Sequence, residues 1–541
     1  MRKKVSILLI LLMMVANTSI VGAIGQMVSL SDIDNHWIKD YKQDLYLLQH
    51  LGIFQGYTDG TFKPANPITR EEFTKILIAA LGEEIEVYVG SNSFQDVKPS
   101  NWSYHYVEKA VEKGILLPEE YQFILKPNTP ITRQEMATMI IRALNIPLEA
   151  LETGAIKQGV FIDEEDIPEN FKIFIHLASE KGIINGYQTA TGMAFRPNQT
   201  ATRAEAALML VRFLDQKTEL KKTGFYAIDS FKQLEVTKHF DEVVFGWSAL
   251  DQNDTGEISF TLHSKDSLHR LPSAYQEALQ FVEGNQVDRK LMLTDTRTQL
   301  IYSLLDDQDN QKKLIESIII SLLEYEFSGI VMDLENIRNG DGGYRDAYTD
   351  FLRNLKIALR PYNLSLAVAV QPRNVIGYYD GYDFKGIGEI ADEIILMAHD
   401  YHDSRTTSSL TDQAPFNKVH EALKDLLDEG VEANKIILGL QMAGGTQIRR
   451  TEDGNRTFYT PAFSAIYRSI SERQGIYEFD YRTMTPQFYY LDVENRHENW
   501  IRFENKASIE AKLRLGKFYG IKGVSVWRIG EIPAEIIEIL Q

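Results

Sequence analysis

The sequence contains no cysteine. Disulfides, thiolate metal sites and a cysteine nucleophile are thereby excluded, and a fold outside the cell has to stand without covalent staples. Excess positive charge is lacking too: 57 basic residues face 76 acidic ones, a formal net charge of −19. A nucleic-acid binder needs a basic face to neutralise phosphates, so that class is set aside, while a neutral polysaccharide is compatible with the balance. Past the N-terminal segment, no stretch is apolar enough for long enough to span a bilayer. No motif calls for a cofactor.

What is present begins with an address. Arg2, Lys3 and Lys4 precede an apolar run from Val5 to Ala16, and Val21-Gly22-Ala23 offers small residues for cleavage. This is the layout of a secretory signal peptide over residues 1–23. An uncleaved anchor is the alternative, disfavoured by the short apolar core. An apolar fraction of 44% is ordinary for globular protein, and 541 residues exceed what one core organises.

Three copies of one unit follow, over residues 27–85, 94–146 and 159–216. The first runs Trp37…Leu51-Gly52-Ile53…Phe62-Lys63-Pro64…Ile68-Thr69-Arg70-Glu71-Glu72. The second has Trp102…Lys113-Gly114-Ile115…Lys126-Pro127…Ile131-Thr132-Arg133-Gln134-Glu135. In the third, Phe171 stands near the place of the Trp, and Lys181-Gly182-Ile183…Arg196-Pro197…Ala201-Thr202-Arg203-Ala204-Glu205 closes the copy. Each copy predicts a helix ended by Gly, a loop, and a second helix capped by Thr with Glu behind it. The Arg beside each cap gains nothing from the helix dipole, which suggests a cation held for a ligand. A surface arginine without a partner is the plain alternative. These copies resemble S-layer homology domains. The resemblance implies an all-α three-repeat bundle binding anionic secondary cell-wall polymer, with Arg70, Arg133, Arg203, Trp37 and Trp102 lining the grooves.

A polar stretch, Gln216 to Lys222, reads as a linker before a domain over residues 223–541. Eight apolar β-rich runs occur there: 224–228, 242–247, 290–295, 329–335, 364–370, 393–399, 435–441 and 523–528. Most are followed by amphipathic stretches such as Asp346–Leu359 and Ala507–Phe518. Buried parallel strands look like this, and eight of them predict an α/β (β/α)₈ TIM barrel. The interval from Ala443 to Phe503 is too long for one crossover and predicts a small α+β insertion, a hairpin or small sheet holding Phe488–Val493 and Trp500–Glu504.

In Ser328-Gly329-Ile330-Val331-Met332-Asp333-Leu334-Glu335, strand alternation sends Val331, Asp333 and Glu335 to one face. Two carboxylates at the C-terminal end of a barrel strand sit where this fold keeps its active sites, and paired buried carboxylates push one another toward protonation. A structural ion pair is the bland alternative. The stretch resembles the Asp-Gly-x-Asp-x-Asp-x-Glu signature of glycoside hydrolase family 18, with Ser328 and Val331 where the motif has Asp. The resemblance makes Glu335 the catalytic acid and Asp333 the residue orienting the substrate acetamido group, whose own oxygen attacks the anomeric carbon.

The run Met397-Ala398-His399-Asp400-Tyr401 resembles that family's Met-x-Tyr-Asp. Asp400 then bonds substrate, and His399 replaces the Tyr that stabilises the oxazolinium, with Tyr401 the alternative for that role. Trp527 matches the Trp under the distorted sugar. Tyr226, Gln371, Trp247, Tyr489 and Trp500 are further candidates to line the cleft, each also readable as packing. His399, Asp400, His402 and Asp403 invite a metal reading, but neighbouring side chains on a strand end point in opposite directions, and no metal is expected.

The run Glu498-Asn499-Trp500…Phe503-Glu504…Ser508-Ile509…Lys512 looks like the branch of spore and cortex peptidoglycan glycosidases. The implied protein is a glycosidase of N-acetylglucosamine-containing glycan on the surface of a Gram-positive-type bacterium, with peptidoglycan preferred and chitin next. A lectin-like barrel without catalysis and a structural surface-layer component are the alternatives.

Overall fold

The computed structural model describes residues 27, 29–83, 85, 88, 92–146, 160–264, 267–375, 379–402 and 412–541. The expected signal segment and Asp403 lie outside the described residues. The chain divides into two compact units, residues 1–218 and 219–541. Among the described residues no helix is long and apolar enough to cross a membrane.

Among the described residues, six α-helices build the first unit: α1 (Lys42–His50), α2 (Arg70–Leu81), α3 (Tyr104–Glu112), α4 (Arg133–Ala143), α5 (Glu169–Glu180) and α6 (Arg203–Lys217). The second helix of each repeat opens on a full capping box, Thr69 with Glu72, Thr132 with Glu135 and Thr202 with Glu205. In each box the Thr hydroxyl takes one orphan N–H and the Glu carboxylate takes the N–H of the Thr itself. Before each box the chain takes a left-handed residue, Lys63, Lys126 or Arg196, at φ 54°, 53° and 59°. An Asp carboxylate holds each turn. Asp32 accepts from the N–H groups of Phe62 and Lys63 at 2.7 and 2.8 Å, and Asp96 and Asp163 repeat the arrangement.

The three repeats close into a ring through main-chain bonds. Ile68 N–H donates to the Ala201 carbonyl (3.0 Å), Ala201 N–H to Ile131 (2.9 Å), and Ile131 N–H to Ile68 (2.9 Å). All three residues are fully buried, so each peptide group finds its partner in the neighbouring repeat rather than in water. The all-α expectation is met only in part. The unit also holds a two-stranded hairpin, Tyr187–Gln188 with Met193–Ala194, and three isolated bridges at the ring.

The second unit is a closed barrel of eight parallel strands: β1 (Lys221–Tyr226), β2 (Glu242–Gln252), β3 (Asp288–Asp295), β4 (Gly329–Leu334), β5 (Ser365–Val370), β6 (Glu393–Leu396), β7 (Ile436–Gln441) and β8 (Gly523–Trp527). Neighbours in sequence pair in order, and β8 pairs with β1 to close the wall. Since α6 continues to Lys217 and β1 opens at Lys221, little of the stretch read as a linker is irregular. Phe225, Val244, Met292, Val331, Ala367, Ala369, Ile395 and Ile437 fill the interior.

Under this core, at the strands' N-terminal ends, Lys290 bridges Glu242 (2.8 Å) and Glu393 (2.7 Å), and Lys221 bridges the same two carboxylates. Burial opposes the charge on Glu393, but Lys290 and Lys221 outweigh it and hold the carboxyl far below its usual range. The two glutamates share their cations, which makes a buried network of this kind tolerable.

The expected insertion follows β7 and is larger than a hairpin. Five antiparallel strands run in the order 456–459, 446–450, 497–502, 485–492 and 475–480. Helix Phe463–Glu472 accompanies them.

Candidate active site

Strand β4 is buried along its whole length, and Val331 and Asp333 face the interior. Glu335 follows the strand end, where its N–H donates to the Asp295 carbonyl at 2.9 Å. Asp333 Oδ2 accepts from Thr294 Oγ1 at 2.9 Å, whereas the buried Oδ1 has no partner among the described residues. Burial pushes Asp333 above the usual carboxylate range, against the opposing pulls of the Thr294 bond and His399. Glu335 is pushed up as well, first by burial and then by Asp333 and Asp400. Two carboxyls that cannot comfortably ionise together share one end of the barrel.

Both line a cavity of about 310 Å³, together with Gln371, Met397, His399, Asp400 and Trp527. Seven residues named from sequence are thus brought to one place. His399 Nδ1 stands 2.8 Å from Asp400 Oδ2. Burial raises Asp400, but His399, that hydrogen bond and His402 outweigh it and leave the carboxyl below its usual range. Asp400 also holds φ +61°, a left-handed conformation that Asp tolerates better than most residues. Gly439 lines the cavity where a Cβ would meet the Leu396 carbonyl oxygen at 2.7 Å, so the β6–β7 approach requires glycine.

Other candidates fall elsewhere. Tyr226 is buried between Phe245 (5.2 Å between ring centroids) and Trp247 (5.9 Å), and Trp247 is core as well. The neighbour Phe225 faces the cavity instead, edge-on to Trp527 at 5.4 Å. Tyr401 turns outward from the cavity, its hydroxyl donating to Asn374 Oδ1 (2.9 Å) and to the Lys418 carbonyl (3.2 Å). Tyr489 and Trp500 form a cross-strand pair at 5.2 Å in the insertion sheet and do not line the cavity.

Ser328, at the first motif position, lies at the opposite end of β4 and bonds Asp288 Oδ2 at 3.0 Å, so its departure leaves the cavity untouched. Sequence reasoning missed Phe225 and Tyr379, which line the cavity, and Thr294, which bonds Asp333. Strict alternation along β1, counted from the buried Thr223, would have selected Phe225 over Tyr226. Among the described residues no group of three or more His, Asp or Glu side chains is placed to hold a metal ion.

In the first unit the three arginines reach across the ring. Arg70 Nε donates to Glu135 Oε1 (2.9 Å) and Nη1 to the Leu125 carbonyl (3.0 Å). Arg133 bonds the Phe195 carbonyl and Glu205, both at 2.9 Å. Arg203 bonds the carbonyls of Phe62 (2.9 Å) and Gln55 (3.2 Å) and sits over the rings of Phe54, Tyr57 and Phe62. Each guanidinium thus ties its repeat to the next, and Arg133 does so while lining a cavity. Trp37 and Trp102 remain about half exposed, at 45% and 52%. Trp37 borders a second cavity of about 310 Å³ with Arg133, Tyr187, Glu205 and Arg212.

Comparison with known proteins places these observations. The sequence model of Glycosyl hydrolases family 18 matches residues 211–531, and that of the S-layer homology domain matches 29–74, 93–137 and 164–207. The chain is 30% identical over 241 residues to a cortical fragment-lytic enzyme of Bacillus subtilis (strain 168), covering 42% of this chain and 52% of that protein. It spans about half the length of that relative. It is 27% identical over 226 residues to a surface-layer 125 kDa protein of Lysinibacillus sphaericus, covering 41% of this chain and 18% of that one. Among solved structures, a class V chitinase of Pseudomonas fluorescens Pf-5 superposes with a TM-score of 0.50 at 19% identity, over 60% of this chain and 99% of that chain. That likeness concerns the fold.

Proposed function

The chain belongs to glycosyl hydrolases family 18 and carries three S-layer homology domains, and from that premise we propose that it is a surface-anchored glycosidase. Its substrate is β-1,4-linked N-acetylglucosamine-containing glycan, peptidoglycan before chitin. The observation that carries the reading is Glu335, a carboxyl whose titration is pushed upward beside Asp333, on the wall of a cavity that Trp527 also lines. A group in that state is a proton donor at neutral pH.

Glu335 donates its proton to the glycosidic oxygen as the acetamido oxygen of the substrate attacks the anomeric carbon and the leaving sugar departs. Asp333 orients the acetamido group, and the Oδ1 that lacks a partner among the described residues is an acceptor suited to its N–H. Water then opens the oxazolinium ring as ionised Glu335 takes back a proton. Trp527 presents an indole ring for the sugar to stack against. The peptidoglycan preference is supported by likeness to a protein named for cortical fragment lysis.

The first unit holds the enzyme at the bacterial wall by taking an anionic secondary polymer at the cavity that Trp37 borders. Arg133 and Arg212 supply the positive charge there.

One observation favours a second reading. With His399 in the place of the family's Tyr and Tyr401 turned outward, no tyrosine of that strand end reaches the oxazolinium, which suits a slow enzyme or a glycan-binding barrel. The experiment is release of reducing ends from purified peptidoglycan and from chitin oligomers, comparing wild type with Glu335→Gln. Peptidoglycan cleavage that disappears in the variant supports the wall hydrolase. Retained glycan binding with no cleavage in either protein selects the lectin.

A further inference from the structure

Gln371 stands between two groups whose hydrogen-bonding roles cannot be exchanged. The backbone N–H of Asn336, the residue after Glu335, lies 3.1 Å from Gln371 Oε1. A backbone N–H only donates, so the amide oxygen must face Asn336. The turn that aims this N–H is left-handed, with Asn336 at φ +65° and its side-chain Nδ2 donating to the Thr296 carbonyl at 3.2 Å. The Tyr382 hydroxyl lies 2.9 Å from the Leu334 carbonyl and 3.3 Å from the same Gln371 oxygen. Burial keeps that phenol protonated, and its single proton is directed first to the nearer Leu334 carbonyl, so the orientation of the amide is fixed by Asn336. Flipping the amide would set its nitrogen against the Asn336 N–H, donor against donor.

The amide nitrogen is therefore committed to the other side, where Gln371 Nε2 lies 3.1 Å from Glu335 Oε2. An amide nitrogen has no lone pair to offer a carboxyl hydrogen. We propose that Gln371, locked by the Asn336 N–H, is a positioning residue that keeps Glu335 Oε2 a permanent acceptor and so confines the transferable proton to Oε1. The proposal rests on the reading of Glu335 as the acid and adds to it which oxygen works. It also moves Gln371 from the substrate-binding set to the machinery behind the acid. A carboxyl held this way presents one orientation of its O–H instead of two, and orientation of the proton donor is a large part of general acid catalysis.

The same bond has a signed consequence. A donor to Oε2 stabilises the carboxylate more than the neutral acid, so its removal raises the titration of Glu335 further. The titratable groups facing Glu335 are Asp333 from its own strand, Asp400 with His399 from the end of β6, and the Tyr382 phenol. None of these residues is itself replaced when Gln371 changes, and of them Tyr382 alone touches Gln371, at 3.3 Å.

The test is a carboxyl-carbon NMR titration of full-length protein labelled in its glutamate side chains, with Glu335→Gln identifying the signal. In Gln371→Met, nearly the same size but without the donor, the Glu335 midpoint is expected to rise by about one pH unit. On peptidoglycan the same variant should lose about tenfold in kcat with KM little changed. Gln371→Glu keeps an acceptor for Asn336 and turns an oxygen toward Glu335, so it should raise the midpoint at least as far, and it decides the matter should the methionine variant fail to fold. An unmoved midpoint in a folded variant overturns the proposal. Failure of the acid reading shows separately, as cleavage that persists in Glu335→Gln.

Discussion

Glu335 carries a stability cost that goes with the proposed proton donation. In the unfolded chain it ionises in the ordinary glutamate range, whereas in the fold burial, Asp333 and Asp400 delay that ionisation to higher pH. Folding therefore favours the protonated form. The stability this preference contributes is full below the unfolded pKa and is lost as pH rises through the folded one. Glu335→Gln is neutral throughout and escapes the loss. Its melting temperature should match wild type only below the ordinary glutamate range and exceed it by a margin that grows to a few degrees as pH rises toward about 8. Melting curves that run parallel across pH would mean the carboxyl is not held neutral by its surroundings. The residues behind this prediction were legible because alternation on a buried strand places Asp333 with Val331 whatever the rest of the fold does. Tyr226 and Tyr401 were not, since an aromatic beside a strand end fits either face, and here Phe225 and His399 took the inward places. The Asn336–Gln371 lock was beyond sequence reasoning, because it depends on a left-handed turn and on loops after two different strands.

Among the elements, the three arginine staples look equivalent in sequence and differ in charge balance. Arg70 and Arg133 each meet a capping-box carboxylate, Glu135 at 2.8 Å and Glu205 at 2.9 Å. Arg203 makes no ion pair among the described residues and rests on carbonyls and aromatic rings. Deleting Arg133 takes the cation from Glu205, a buried carboxylate that burial pushes up and that Tyr187, the Thr202 cap and Arg133 together hold below its usual range. Deleting Arg203 strands carbonyls alone. Arg133→Ala is therefore expected to cost about 3–5 kcal/mol, and Arg203→Ala about 1–3 kcal/mol, as read from urea unfolding of the full-length protein followed by a probe in the first unit. Part of the Arg133 penalty should fade as pH falls through the Glu205 titration, since the depressed carboxylate's contribution is lost there. Equal losses for the two variants would show that the carboxylate adds nothing. The eight barrel strands were legible as apolar runs. Strands 446–450, 456–459 and 475–480 of the insertion were not, because they are polar or exposed along most of their length and carry no burial signal.

At the scale of the whole molecule, the formal charge of −19 sets long-range electrostatics against short-range recognition. An anionic wall polymer is repelled by the protein at distance, while the cavity that Trp37 borders offers Arg133 and Arg212 at contact. The two terms respond differently to salt. The repulsion acts between exposed charges and fades as the screening length shrinks from about 30 Å at 0.01 M to about 8 Å at 0.15 M. Contact with a largely buried guanidinium such as Arg133, whose side chain is 3% exposed, is screened far less. Retention on purified cell wall should therefore hold or strengthen as ionic strength rises from low to physiological. A protein that neutralises an anionic polymer across a broad basic face shows the reverse, losing affinity steadily through counterion release. Co-sedimentation of the full-length protein with wall material across that salt range separates the two cases. Steady loss of binding with salt would point to diffuse surface lysines and away from the cavity. Retention that rises with salt and then vanishes when the anionic polymer is extracted from the wall would place recognition at a few buried cations, in a protein otherwise shaped to keep its distance from such a surface.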